Sequence, residues 1–249
     1  MITGKLLPIL PGLQAHASGA LWLPQSRTAI IADLHLGYSW AQRRRGELGP
    51  LVDMRAREKL LGCQEELRPE RFVFLGDIVH APGSCTPEYE WIADTLRQLG
   101  RSAELIAVRG NHDRKFAAEF ANLKLLHVET WSDQLLTAIH GDRFEFVWPE
   151  GHTLVLGHLH PALTIRDASG AGQKLPVFLA NARCVMLPAF SPFACGYDVA
   201  CGLPAEMRKC FGEEGIHVYA VSSKRVVRLG LLRNTVQQTN LPKSSCSRR

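Results

Sequence analysis

The chain has no Cys-x-x-Cys pair. Its seven cysteines are an odd number scattered through the sequence, which argues against both a zinc ribbon and a disulfide framework and fits a reducing compartment. A cytoplasmic location is therefore expected. No apolar run approaches the ~20 residues a membrane-spanning helix needs, so no membrane partner is expected. The apolar start, Leu6-Leu7-Pro8-Ile9-Leu10-Pro11, is broken by proline and lacks a small-residue cleavage site. It reads as an edge strand or connector rather than a secretion signal. Internal repeats and linkers are also missing, so one domain is expected over residues 1–233. A polar, aperiodic tail follows at 234–249, expected to be disordered.

A dominant charge is lacking too: 29 Lys and Arg stand against 24 Asp and Glu, a formal net charge of +5. Part of the excess lies in the tail at Lys243, Arg248 and Arg249. The densest spot is Arg43-Arg44-Arg45, followed by Arg55 and Arg57. Such a cluster is either a solvated basic face or a patch that contacts phosphates.

What is present is a series of short apolar runs. Residues 5–23 read as a first strand or hairpin, and Gly37 to Pro50 as a loop. Residues 53–67 read as a helix, with Asp53 as its cap and Pro69 as its stop. Thr86-Pro87-Glu88 has the hydroxyl, proline and acid of a helix start, and Trp91, Ile92, Thr95, Leu96 and Leu99 continue it at helical spacing to Gly100. A short helix is expected over 114–122. Hairpins are expected at 177–180 with 184–187, and at 216–221 with 226–229.

Five of the apolar runs end in residues able to bind a metal: Asp33 and His35, Asp77, Asn111 and His112, His140, and His158 and His160. Either Asp-x-His or His-x-His alone is more often an ordinary turn. Repetition at successive strand ends is different, because ligands in α/β sheets gather at the carboxyl ends of strands. About seven nitrogen and oxygen donors are too many for one catalytic zinc and suit two metals sharing a carboxylate. A donor set without sulfur favours manganese, iron or zinc in an open site. His16, His127, His152 and His217 sit in no such motif and read as ordinary histidines.

The blocks Asp33-x-His35, Gly76-Asp77, Gly110-Asn111-His112-Asp113, His140-Gly141-Asp142 and Gly157-His158-x-His160 resemble those of the calcineurin-like metallophosphoesterases, over residues 28–161. The resemblance implies an α/β fold of four layers, αββα, with two mixed β-sheets between helices. It implies two divalent ions, manganese foremost and iron or zinc as alternatives. Asp33, His35 and His160 would hold one ion, Asn111, His140 and His158 the other, and Asp77 would bridge them. His112 would face the scissile phosphate, with Asp113 expected to fix its tautomer.

A narrower resemblance rests on Asp33-Leu34-His35-Leu36-Gly37, Gly76-Asp77-Ile78-Val79-His80 and Leu187-Pro188-Ala189-Phe190. These are similar to segments of bacterial DNA ligase-associated DNA-damage-response phosphoesterases, which are endonuclease-like and usually encoded beside a ligase and a helicase. His80 falls where some nucleases of the superfamily carry a second histidine, so it joins His112 and Asp113 as a candidate catalytic residue. The leading expectation is a DNA phosphodiesterase or nuclease in DNA repair, with DNA, a ligase and a helicase as partners and homo-oligomers common among relatives. The alternatives are hydrolysis of a small nucleotide or pyrophosphate, and a non-catalytic protein-binding scaffold.

Overall fold

The computed structural model describes residues 2–47, 52–81, 86–144, 149–166, 169–194, 196–222 and 224–239. The first sheet takes its strands in sequence order: Leu6–Leu10 (β1), Leu13–His16 (β2), Leu21–Leu23 (β3), Thr28–Ala32 (β4), Arg71–Leu75 (β5), Glu104–Val108 (β6) and Leu126–Val128 (β7). β1 to β4 pair antiparallel, and β4 to β7 pair parallel. The apolar start is thus the edge strand β1. The parallel half matters for the site, because it points the ends of β4, β5 and β6 the same way.

The second sheet is also mixed. Its main strands are Leu136–Ile139 (β8), Thr153–Leu156 (β9), Pro161–Arg166 (β10), Gly172–Ala180 (β11), Cys184–Met186 (β12), His217–Val221 (β13) and Val226–Leu231 (β14). Across the sheet the order is β14-β13-β11-β12-β9-β8, with β10 paired to β11 off that path. β8, β9 and β12 run parallel. The two expected hairpins form as antiparallel pairs, β11 with β12 and β13 with β14.

Alternation along the strands builds the layers. In β4, Ala29 and Ile31 face a core shared with Leu60, Leu67, Ile92 and Leu96. These last four lie on helices Val52–Leu67 and Thr86–Leu99. Ile30 and Ala32 face the other way, against Leu136, Val155, Phe178 and Val185 of the second sheet. The outer face of that sheet carries Leu154, Leu156, Val177 and Leu179 against Met207, Cys210 and Phe211, of helix Ala205–Phe211. Helix, sheet, sheet and helix make the four layers. Among the described residues no helix is long and apolar enough to cross a membrane.

Helices are labelled α1 Tyr38–Arg44, α2 Val52–Leu67, α3 Thr86–Leu99, α4 Phe116–Glu119, α5 Ala205–Phe211 and α6 Leu232–Thr239. Two differ from expectation. The stretch read as a loop contains α1. Its start is held by Asp53, whose Oδ1 accepts from Gly37 N at 3.0 Å and Tyr38 N at 3.1 Å, and whose Oδ2 accepts from Ser39 N at 3.0 Å. Asp53 therefore caps α1 from a distance instead of capping α2. Where a disordered tail is expected from 234 onward, α6 continues to Thr239 and Thr235 is buried. The remainder of that tail, 240–249, lies outside the described residues.

Candidate metal centre

Every motif block stands at one rim of the paired sheets. Asp33 follows β4, Asp77 follows β5, Asn111 follows β6, His140 follows β8 and His158 follows β9. The sheets are stitched together there: Phe190 N donates to Ala32 O at 2.8 Å and Ser191 N to Asp33 O at 3.1 Å. Seven non-glycine residues have positive φ among the described residues, and five of them are Asp33, His35, Asp77, His158 and His160. A left-handed backbone costs a non-glycine residue of order 1 kcal/mol or more. It is concentrated here because the chain must turn sharply off each strand to aim a donor inward. The turns approach so closely that a Cβ on Gly110 would collide with the backbone nitrogen and Oδ1 of Asp77.

The donors converge in two neighbouring groups, Asp33 with His35 and His160, and Asp77 with His140 and His158. In the first, His160 Nε2 lies 3.2 Å from Asp33 Oδ1 and 3.4 Å from His35 Nε2. In the second, His140 Nε2 lies 3.0 Å from Asn111 Oδ1, 3.1 Å from His158 Nδ1 and 3.5 Å from Asp77 Oδ2. Asp77 Oδ2 is also 3.9 Å from His35 Nε2, so one carboxylate oxygen stands between the groups.

Hydrogen bonds from behind set the tautomers. His140 Nδ1–H donates to Leu75 O at 2.8 Å, which leaves a lone pair on Nε2 aimed at the carbonyl oxygen of Asn111. Asp33 Oδ2 accepts from His158 N at 2.9 Å, while its Oδ1 is buried without satisfying a hydrogen bond. His35 Nδ1 is likewise buried and unsatisfied. Lone pairs gathered this closely repel one another unless a cation sits among them, and buried polar atoms are otherwise paired. The residues present fit a pair of divalent ions.

The calcineurin-like phosphoesterase family matches residues 26–177. The chain belongs to that family. Among solved structures, this phosphoesterase is similar to the Pseudomonas putida nuclease MPE, with 22% identity, a TM-score of 0.63, and coverage of 87% of this chain and 94% of that one. It is more distantly similar to Yfce, a phosphoesterase from E. coli, at 13% identity and a TM-score of 0.41, covering 82% and 97%. No curated protein sequence matches the chain. The family and fold make this a metal-dependent phosphoesterase domain, and the family uses a dinuclear metal site.

The three candidates for catalysis separate in the structure. His112 is at the rim of the phosphoesterase site, its side chain 37% exposed and its Nε2 3.9 Å from Asp77 Oδ2. Its Nδ1–H donates to His80 O at 2.6 Å. That bond, and not one from Asp113, orients the imidazole. Asp113 points elsewhere: Oδ1 accepts from Ile78 N at 3.0 Å and Val79 N at 3.3 Å, and Oδ2 from Gly110 N at 3.2 Å. The expected contact of Asp113 with the imidazole is corrected to a brace between the loops after β5 and β6. A carboxylate that can collect three backbone N–H groups satisfies donors the sharp turns would otherwise leave bare.

His80 stacks on His112 with ring centroids 5.6 Å apart and meets Tyr38 edge-on at 4.7 Å. Its Nδ1 is buried and unsatisfied, and it can group with His35 and His112. Nothing local in the sequence marks Tyr38, because α1 lies in a stretch that reads as a loop and the histidine it reaches is 42 residues on.

At His160 burial is outweighed by the hydrogen bond and charge of Asp33, which raise it; at His35, His80 and His158 burial wins and keeps the imidazole neutral. Burial takes His35 down to about 3, against the pull of Asp33, and His80 down to about 4, helped by His112, Arg45 and Arg44. Burial also raises Asp77, and it raises Asp113 to about 6 with the charge of Asp77 assisting. Neutral imidazoles keep lone pairs available to a metal.

Proposed function

We propose that this chain is a dinuclear-metal phosphodiesterase that cleaves DNA, acting in DNA repair. The observation that carries the phosphodiesterase reading is the placement of Asp77 Oδ2 within 4 Å of His140, His35 and His112, with metal donors on both sides of it. In this reading Asp33, His35 and His160 hold one ion, Asn111, His140 and His158 hold the other, and Asp77 bridges. Manganese is the first choice, since no thiolate joins the set and carboxylate, amide and imidazole donors suit it. Two such ions, when bound, supply charge for the phosphate oxygens and activate a water at neutral pH.

The chain's own residues do the rest. His112 presents Nε2 to the open side, where it can stabilise the transition state or hand a proton to the leaving oxygen. His80 O keeps that ring in place, and Asp113 keeps the two loops in register. Support for DNA comes from Arg45, at the C-terminal end of α1, which lies close enough to His80 to bias its charge. It comes also from the nuclease among the similar folds and from the segments similar to ligase-associated phosphoesterases. A ligase and a helicase are the partners this reading suggests, in the cytoplasm.

The test is to strip the protein with chelator, restore manganese, and compare bis-p-nitrophenyl phosphate with the mono-ester before offering plasmid DNA. Manganese-dependent diester cleavage and plasmid nicking are expected. Metal-loaded protein that hydrolyses neither ester nor DNA would overturn the reading.

A further inference from the structure

We propose that a cleft walled by Lys59 and Lys174 binds the phosphate next to the scissile one in a polynucleotide substrate. This rests on the phosphodiesterase reading and extends it, since it assigns residues outside the metal centre to a second phosphate.

The cleft is a cavity of about 160 Å³ that begins at His160 and is lined also by Lys59, Lys174 and Ser191. His160 is one of the donors of the centre, so the cleft opens directly beside it. Lys59 comes from α2. Its Nζ donates to Phe190 O at 2.8 Å and lies 4.3 Å over the Phe190 ring. Phe190 and Ser191 are the residues hydrogen-bonded to Ala32 and Asp33, so the strip that anchors Lys59 also anchors a metal donor. Lys174 comes from β11, on the opposite sheet, and its Nζ donates to Gly196 O at 2.7 Å.

Each ammonium has three N–H donors, and one carbonyl bond leaves further donors to offer. No aspartate or glutamate lines the cleft. Among the described residues neither lysine has a carboxylate within salt-bridge distance. On the other side of the centre Arg44 is arranged differently, paired with the buried Glu88. An anion seated in the cleft would gain charge-assisted hydrogen bonds from both ammoniums. Lysine is well suited to that work, as a point charge that contacts phosphate without demanding a bidentate geometry. Burial brings the Lys59 ammonium down to about 8, as expected for a cation held without its counter-charge.

The anion is a phosphate because the neighbouring centre handles phosphate esters and a strand carries its next phosphate covalently attached. The experiment compares kcat/KM for a short single-stranded oligonucleotide with kcat/KM for bis-p-nitrophenyl phosphate, which has one phosphate only. Lys174→Met and Lys59→Met should each lower the ratio about tenfold, the worth of one charged hydrogen bond. Each should also reduce the slope of log KM against log salt by about 0.7. Lys59→Arg should restore most of both.

Dinucleotide substrates with the second phosphate either as an internal diester or as a terminal mono-ester identify the source. A loss with either supports the subsite, and a loss with the terminal form alone makes it a strand-end reader. A wild-type ratio and slope in both methionine variants overturns it. Should the wild-type protein cleave neither substrate, the phosphodiesterase reading fails separately. Fluorescence anisotropy of a labelled oligonucleotide then decides the subsite: tenfold weaker binding by Lys174→Met upholds it, and equal binding overturns it.

Discussion

The two flanks of the metal centre treat positive charge in opposite ways. On the His80 side, α1 carries Arg44 onto Glu88, whose side chain is 1% exposed, and Arg43 lies over the Trp40 ring at 5.6 Å. On the His160 side, Lys59 and Lys174 donate to backbone carbonyls, Lys59 also lies over an aromatic ring, and among the described residues neither has a carboxylate within salt-bridge distance, although Asp198 is near enough to Lys174 to feel its charge. A cation paired with a buried carboxylate is fixed and serves the fold. A cation without a partner carries a desolvation cost and keeps its charge for a ligand. Sequence alone would have ranked the flanks the other way, because three adjacent arginines draw more notice than two lysines 115 positions apart in the numbering.

Removing the centre between the flanks is the largest perturbation. Asp77→Asn should lower diesterase activity by about 10³-fold or more, since the bridging charge is lost. Elemental analysis should find both ions gone, while oligonucleotide binding at the lysine flank persists. Retention of two ions would refute the bridging role. His112→Ala should cost about 10²- to 10⁴-fold in kcat with metal content intact, because His112 stands at the rim, 37% exposed, and belongs to neither donor group assigned to an ion. If metal content falls in step with activity, His112 is a ligand and not an acid.

The arginine flank is tested by stability. Arg44→Met removes the opposite charge paired with buried Glu88, and about 2 kcal/mol of destabilisation is expected, below the value for a fully buried pair because Arg44 is 36% exposed. Urea titration measures it. A change in KM for oligonucleotide with no change in stability would reverse the assignment and make Arg44 a phosphate contact.

How much of this was readable beforehand depends on whether a residue acts locally. Asp33, Asp77, Asn111 and His140 each end an apolar strand run, and strand ends in a parallel arrangement share a rim, so the gathering of donors follows from local pattern, while the four layers are implied only by the resemblance of the motif blocks. The brace formed by Asp113 does not. Its partners, Ile78 and Val79, lie 35 and 34 residues away, and an aspartate after a histidine looks the same whether it orients the ring or clamps a loop. Asp53 misled for a related reason: at the start of a helix it has the signature of a cap, but the N–H groups it satisfies belong to Gly37, Tyr38 and Ser39. Lys59 and Lys174 were silent because a lysine is ordinary at nearly any surface position. Only the packing of α2 and β11 around Ser191 brings them to one cleft.

The smallest effect has the most telling sign. Lys59 is held at about 8 in the folded chain against 10.5 in a free side chain. Between those values the unfolded chain binds the extra proton, so folding stability should rise as pH climbs through 8, and the penalty is fully present below that. Cys63 faces Lys59 and acts oppositely, because burial raises its thiol from 9.0 to about 11, which removes stability above pH 9. The clean window is therefore pH 8 to 9. In that window the wild-type protein should gain stability with pH and Lys59→Met should not. At pH 7 the variant should be more stable by about 1 kcal/mol, the relieved desolvation exceeding the lost bond to Phe190 O. Stability lost at pH 7, together with an unchanged pH slope, would show that Lys59 serves the fold as Arg44 does and that the flanks are alike. A stabilised variant that binds oligonucleotide more weakly would show that the chain gives up folding energy on the His160 side to keep a free cation beside the metals.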